Sequence, residues 1–305
     1  MGLYIGLGSV TLMALIILLI FDFVELVYNE DKVDSMNYIF PMFRGIGLLI
    51  LYLWGVAWNV YGFTKYRINH RLILEYGSHY STHFQIMKRA GFFTLIFSLM
   101  LLVYCIIEST SIKIEENKFA KFVIYTPFVV WVLYFSYIFF PNRDVFNPKG
   151  RRYFYDLLMK IFFSPIIKVT FLITWASDQA VSFVIPIKDL AYTICFYTSN
   201  VSIGSVKNCL SGSHLQGAVV TYIVAILPLL LRMIQCFRQA KQQNGKFIGH
   251  LQMWNFLKYL SSVLTATVSY LSTFFDEIFT LFVICSIIST SYSYYWDLKN
   301  DWGFL

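Results

Sequence analysis

Six polar or ionisable residues stand where an apolar chain accommodates them least: Arg44, Asn59, Lys168, Asp178, Arg232 and Lys258 lie within or beside long hydrophobic runs. Charge in hydrocarbon is costly and marks functional positions by default. An anion crossing a bilayer needs cationic side chains to replace its hydration shell. It also needs a nearby carboxylate, so that the empty site is not bare positive charge. Arg232 lies one turn after Pro228, whose missing N–H frees backbone groups a bound ion could use. Lys168 stands ten residues before Asp178 and Gln179, which interrupt the apolar stretch between Pro165 and Pro186. A broken helix presenting Lys and Asp to a cavity is a common way to build a midplane site. Structural readings compete: Arg232 and Lys258 are close enough to span ends to snorkel, and Lys168 and Asp178 could form a packing pair.

Other constellations lead away from catalysis. His79 and His83 at i, i+4, with Glu75 one turn earlier, imitate a zinc-binding face, but no Glu follows the first His, so they read as a solvated turn. Asp297 and Asp301 form a DxxxD of the kind that holds magnesium in membrane prenyltransferases. The second acidic cluster such a site needs, Glu25, Glu30, Asp31 and Asp34, falls in a loop expected on the opposite side. No histidine has an aspartate five residues on, and no GxSxG occurs. These patterns indicate neither enzyme, metal site nor cofactor.

The elements that must carry these residues are transmembrane. Apolar residues make up 58% of the 305 and charged residues 13%, and the mean hydropathy is +0.62, so lipid must be the solvent. The net charge of +7 is gathered in short loops, which fits lipid headgroups and excludes nucleic acid as the partner. Runs near 2–26, 39–63, 90–108, 120–140, 216–237, 251–274 and 277–296 are long enough to cross the bilayer. In 152–198 a short interfacial helix at 152–163 followed by one broken crossing fits best. The expected fold is thus an all-α polytopic bundle of about eight spans plus an interfacial helix, one membrane domain over 1–305. Basic loops at 64–89, 141–152 and 238–250 place those segments on the cytoplasmic side. The sequon at Asn200 then faces away from the cytoplasm, where it could be glycosylated. The cysteines Cys105, Cys195, Cys209, Cys236 and Cys285 contain no CxxC and suggest no disulfide framework.

The C-terminal stretch Ile288-Ser289-Thr290-Ser291-Tyr292-Ser293-Tyr294-Tyr295-Trp296-Asp297-Leu298-Lys299-Asn300-Asp301-Trp302-Gly303 closely resembles the signature of the EXS domain family. That family includes phosphate exporters first met as a retrovirus receptor, their plant counterparts and a yeast ER-retention-defective protein. Three more stretches follow in the family's order. They are Phe43-Arg44-Gly45 with Asn59-Val60-Tyr61-Gly62 and Asn69-His70; Ser164-Pro165 through Lys168-Val169 to Asp178-Gln179 and Ile194-Cys195-Phe196-Tyr197; and Arg232 to Cys236 with Asn255 and Lys258-Tyr259. The resemblance implies export of inorganic phosphate along a path lined by Lys168, Asp178, Arg232, Asn59 and Lys258. It implies that Arg44, Asp297, Asp301 and Trp302 are signature residues, the two aspartates near a cytoplasmic helix end.

Two departures shape the expectation. The family's regulated exporters begin with an SPX domain that binds inositol polyphosphates, whereas here an apolar run begins at once. They also carry one more span after the DWG motif, and this sequence ends at Leu305. The alternative is therefore an EXS-derived structural subunit of a larger membrane assembly, or a chain completed by other subunits or a second copy. The Golgi or another endomembrane, or the plasma membrane, is the expected location, with the mitochondrial inner membrane as the alternative.

Overall fold

The computed structural model describes residues 30–75, 81–109, 125–126, 128–133, 136, 148–198, 215–242 and 251–304. Regular structure among them is entirely helical, as lipid demands of a backbone with no water to bond. The main helices are α1 (Glu30–Lys65), α2 (His83–Ser109), α3 (Pro148–Phe162), α4 (Phe171–Ser182), α5 (Val184–Thr198), α6 (Leu215–Gln242), α7 (Leu251–Leu271) and α8 (Phe279–Trp296).

Among the described residues, four helical stretches are long and apolar enough to cross a membrane: Pro41–Lys65, His83–Ile106, Tyr222–Lys241 and Asp276–Asp301. They coincide with the expected runs 39–63, 90–108, 216–237 and 277–296. A fifth crossing results if α4 and α5 count as one span, bent by 53° at Phe183, which is the broken crossing expected within 152–198. The amphipathic helix before it is α3, which starts at Pro148 rather than 152. The expected run 251–274 is helical as α7, yet its Ser, Thr and Tyr residues and Lys258 leave it outside the apolar set, because it packs its polar face against neighbouring helices. The run 2–26, most of 120–140 and Asn200 lie outside the described residues. The count of about eight spans therefore stands at four or five among the described residues.

The chain divides into two compact units, one comprising residues up to Tyr153 with Asp189–Val206, the other Phe154–Lys188 with Lys207–Leu305. In the first, α1 packs on α2 around Ile46, Ile50 and Trp131. Gly47 faces the Phe97 ring, which a Cβ there would meet at 3.4 Å, an ordinary van der Waals contact. Trp54 Nε1 donates to Thr94 Oγ1 at 3.0 Å across the same pair of helices. The start of α2 is fixed by a capping box: the Thr82 amide donates to Gln85 Oε1 at 3.2 Å and the Gln85 amide to Thr82 Oγ1 at 3.4 Å.

Arg44, read from sequence as a signature residue, forks onto Asp189 of α5 through Nε at 2.9 Å and Nη2 at 2.7 Å. Asp189 is buried, so the guanidinium is what makes its charge tolerable. Replacing Arg44 by alanine is expected to destabilise the protein by about 3–5 kcal/mol, the cost of stranding a buried charge. The check is a thermal melt in detergent; a melting temperature within error of wild type would show the pair to be idle.

Cys195 on α5 is disulfide-bonded, which corrects the reading that no disulfide framework is indicated; Cys105, Cys236 and Cys285 are thiols outside any disulfide. Local spacing could not reveal it, because a disulfide partner is chosen by where the chain folds back.

Candidate functional site

The second unit gathers most of the ionisable residues singled out above. Along α6, Arg232, Gln235 and Gln239 recur at i, i+3, i+7 and so occupy one face. The helix runs unbroken through Pro228 and turns that face toward α4. There Arg232 makes a two-pronged ion pair with Asp178: Nε donates to Oδ1 and Nη2 to Oδ2 at 2.9 Å. Two parallel bonds match the planar fork of guanidinium to a carboxylate.

A second tier fixes the arginine. Its Nη1 donates to Gln235 Oε1 at 3.0 Å, and Gln235 Nε2 donates to Ser164 Oγ and Ser177 Oγ, both at 2.7 Å. Gln235 is fully buried, so each of its polar atoms must be bonded, and it is. Arg238 donates to the Ser164 and Ile167 carbonyls at 3.1 and 3.0 Å, tying the loop before α4 to α6. These ties position Asp178 by holding α4 in register with α6.

From α7, Tyr259 donates its hydroxyl to Asp178 Oδ1 at 2.6 Å. Its ring lies 5.3 Å from the Arg232 guanidinium and 5.0 Å from the Lys258 ammonium, within cation–π range of both. Lys258 is buried and donates to Asp297 Oδ1 at 3.2 Å, with its ammonium 5.8 Å from the Trp296 ring centroid. Asp297 opens a π-helical turn, Asp297–Asp301, that continues α8 and closes with Trp302 N–H to the Asp297 carbonyl at 2.8 Å. Gly303, at φ 67°, takes the left-handed conformation that ends it. π turns inserted at helix ends recur at functional sites.

Exposure within the two pairs is one-sided. The side chains of Arg232 and Lys258 are 3% and 10% exposed, whereas those of Asp178 and Asp297 are 38% and 40% exposed. Each cation is thus buried while its carboxylate partner is partly exposed.

Of the residues picked from sequence, Asp178, Arg232 and Lys258 come together around Tyr259. Lys168 does not join: it is exposed on the short extended stretch before α4 and makes no bond to the cluster. Asn59 is exposed on α1 in the first unit. Sequence reasoning weighed Asp297 as part of a DxxxD motif and as a signature residue, and did not foresee it as the partner of Lys258. Gln235 and Tyr259 were also missed as site residues. The helical spacing of three residues from Arg232, and the adjacency of Tyr259 to Lys258, were the signals available.

The sequence pattern of the EXS family matches residues 39–305. The chain belongs to the EXS family. Relatives include the SPX and EXS domain-containing protein 1 of Dictyostelium discoideum, 30% identical over 100% of this chain and 32% of its own length. The human solute carrier family 53 member 1 is 30% identical over 89% of this chain and 40% of its own length. A xenotropic and polytropic retrovirus receptor 1 homolog of Danio rerio is 28% identical over 99% of this chain and 43% of its own. The chain thus spans 32% to 43% of the length of these EXS relatives. The human and Danio rerio relatives carry the names of a solute carrier and of a receptor homolog, and the long apolar helices of this chain are those of an integral membrane protein.

Proposed function

We propose that this EXS chain exports inorganic phosphate across its membrane through the Asp178–Arg232–Tyr259–Lys258–Asp297 cluster. One observation carries the reading: two buried cations are each held by a partly exposed carboxylate that another anion can displace. A buried arginine or lysine without a counter-ion is untenable, so in the empty site the aspartates supply the negative charge. Phosphate carries more oxygens and the same planar match to a guanidinium, and replaces the carboxylate without leaving the cation bare. Tyr259, facing both cations, lets an anion released by one be received by the other without crossing an apolar gap. Lys168, exposed before Asp178, is assigned to the same path on the family resemblance, which names Asn59 on α1 as a path residue as well.

For location we propose an endomembrane or the plasma membrane. The disulfide at Cys195 supports this, because disulfides persist in oxidising compartments, and glycosylation at Asn200 belongs to the same proposal. Membrane lipids surround the bundle. The apolar outer face of α8, where Ile284, Ile287 and Ile288 are exposed, contacts them or a further subunit.

The test is radiolabelled phosphate efflux from proteoliposomes holding this chain alone. Saturable efflux above protein-free vesicles is expected. Absence of flux, with the chain recovered in fixed stoichiometry in a larger complex, would instead favour the structural-subunit reading.

A further inference from the structure

Two buried polar atoms beside Lys258 have no hydrogen-bond partner: the indole N–H of Trp296 and Oδ1 of Asn255. Trp296 is 5% exposed and Asn255 7%, so water does not freely serve them. Folded proteins rarely leave buried donors and acceptors unpaired, and each such group points to something that completes it. Both belong to the surroundings of one cation. Asn255 is one turn before Lys258 on α7, hence on the same face. Trp296 directly precedes Asp297, the carboxylate Lys258 bonds, and its ring lies 5.8 Å from the ammonium.

Their chemistry is complementary. An indole N–H can only donate and is completed by an anionic oxygen. The amide oxygen can only accept and is completed by a hydroxyl. Monohydrogen phosphate, a main form of phosphate near neutral pH, offers both: anionic oxygens and one P–OH. Sulfate has the same shape and charge but no proton, so it would leave Asn255 Oδ1 unpaired and facing another acceptor. Sites built to bond a substrate hydroxyl reject analogues lacking it far more strongly than apolar pockets reject a missing methylene.

We infer that Trp296 and Asn255 form, with Lys258, an oxyanion position that selects protonated phosphate over sulfate, Trp296 donating to a phosphate oxygen and Asn255 accepting the P–OH. The inference rests on the phosphate-transport reading and adds two residues and a selectivity to it.

The test uses the full chain in proteoliposomes, with labelled phosphate efflux competed by sulfate, and phosphate-dependent thermal stabilisation in detergent as a second readout. Trp296→Phe keeps the ring under Lys258 and removes only the donor. It should raise the half-saturating phosphate concentration about tenfold, more than it changes the maximal rate. Asn255→Leu, nearly isosteric, should lower the preference for phosphate over sulfate about tenfold, and Asn255→Asp, which keeps an acceptor, should retain it. Trp254→Phe, at an exposed tryptophan on α7, controls for loss of any indole. If wild type transports but Trp296→Phe and Asn255→Leu match it in half-saturation and sulfate competition, this inference falls and transport stands. If wild type binds phosphate without flux, stabilisation by phosphate against sulfate in the same variants decides. If phosphate is neither moved nor bound, both readings fall.

Discussion

Exchanging Arg232 for lysine is expected to lower phosphate efflux about a hundredfold while most of the protein still folds. Lysine retains the positive charge that Asp178 requires, so the carboxylate is not stranded. The planar fork is lost, and with it the two parallel bonds to one partner and the third to Gln235. Hydrogen bonds to charged groups are each worth about 1.5–3 kcal/mol, and losing the equivalent of one or two on a bound phosphate corresponds to roughly two decades in rate or affinity. Initial efflux rates from proteoliposomes at matched protein content read this directly. A change below about threefold would place Arg232 off the path, as a packing residue whose charge alone counts.

The second large effect separates function from architecture within the same pair. Asp178→Ala leaves a guanidinium that is 3% exposed without its counter-ion, and is expected to destabilise the protein by about 3–5 kcal/mol. Removing both charges together, as Arg232→Met with Asp178→Leu, should recover most of that loss, because apolar residues of similar volume often replace a buried ion pair at little cost. Efflux should not recover. Thermal melts and flux measured on the same preparations give the two readouts. A doubly substituted chain that melts like wild type and still exports phosphate would show the pair to be a clasp, and the anion path would have to be sought elsewhere.

The relation of Lys258 to Asp297 extends this logic. The pair repeats, on α7 and α8, the arrangement of Arg232 and Asp178 on α6 and α4: a buried cation held by a partly exposed carboxylate. In the proposed path, two such stations bridged by Tyr259 would hand on an anion without leaving a cation unpaired. Serine and threonine hydroxyls line the packing of α7 on α8, with Ser261 donating to Ser289 at 3.2 Å and Thr265 to the Cys285 carbonyl at 3.2 Å. Small polar residues let those helices approach closely and fix where Lys258 sits relative to Asp297.

Much of this protein is a local property of its sequence. Length and apolarity of a run decide whether it crosses lipid, and the runs at 39–63, 90–108, 216–237 and 277–296 are helical crossings for that reason. The charges between 151 and 160 marked the amphipathic helix that is there, whereas the break expected at Asp178 falls at Phe183, because α4 runs unbroken through Asp178 and Gln179 before the chain bends. The ordered motifs carried the family. The span count was less secure where a helix owes its place to packing, as in α7, whose polar face is covered by protein.

Pairing was decided by the tertiary structure. Arg44 finds Asp189 145 residues away, Arg232 finds Asp178 at a separation of 54, and Lys258 takes Asp297 at 39. The sequence by itself determined that such charges needed partners, because an isolated ion in hydrocarbon is untenable whatever the fold. Which partner each received, why Lys168 stands apart, and that Cys195 is disulfide-bonded follow from the register in which helices pack, and that register depends on side chains far apart along the chain.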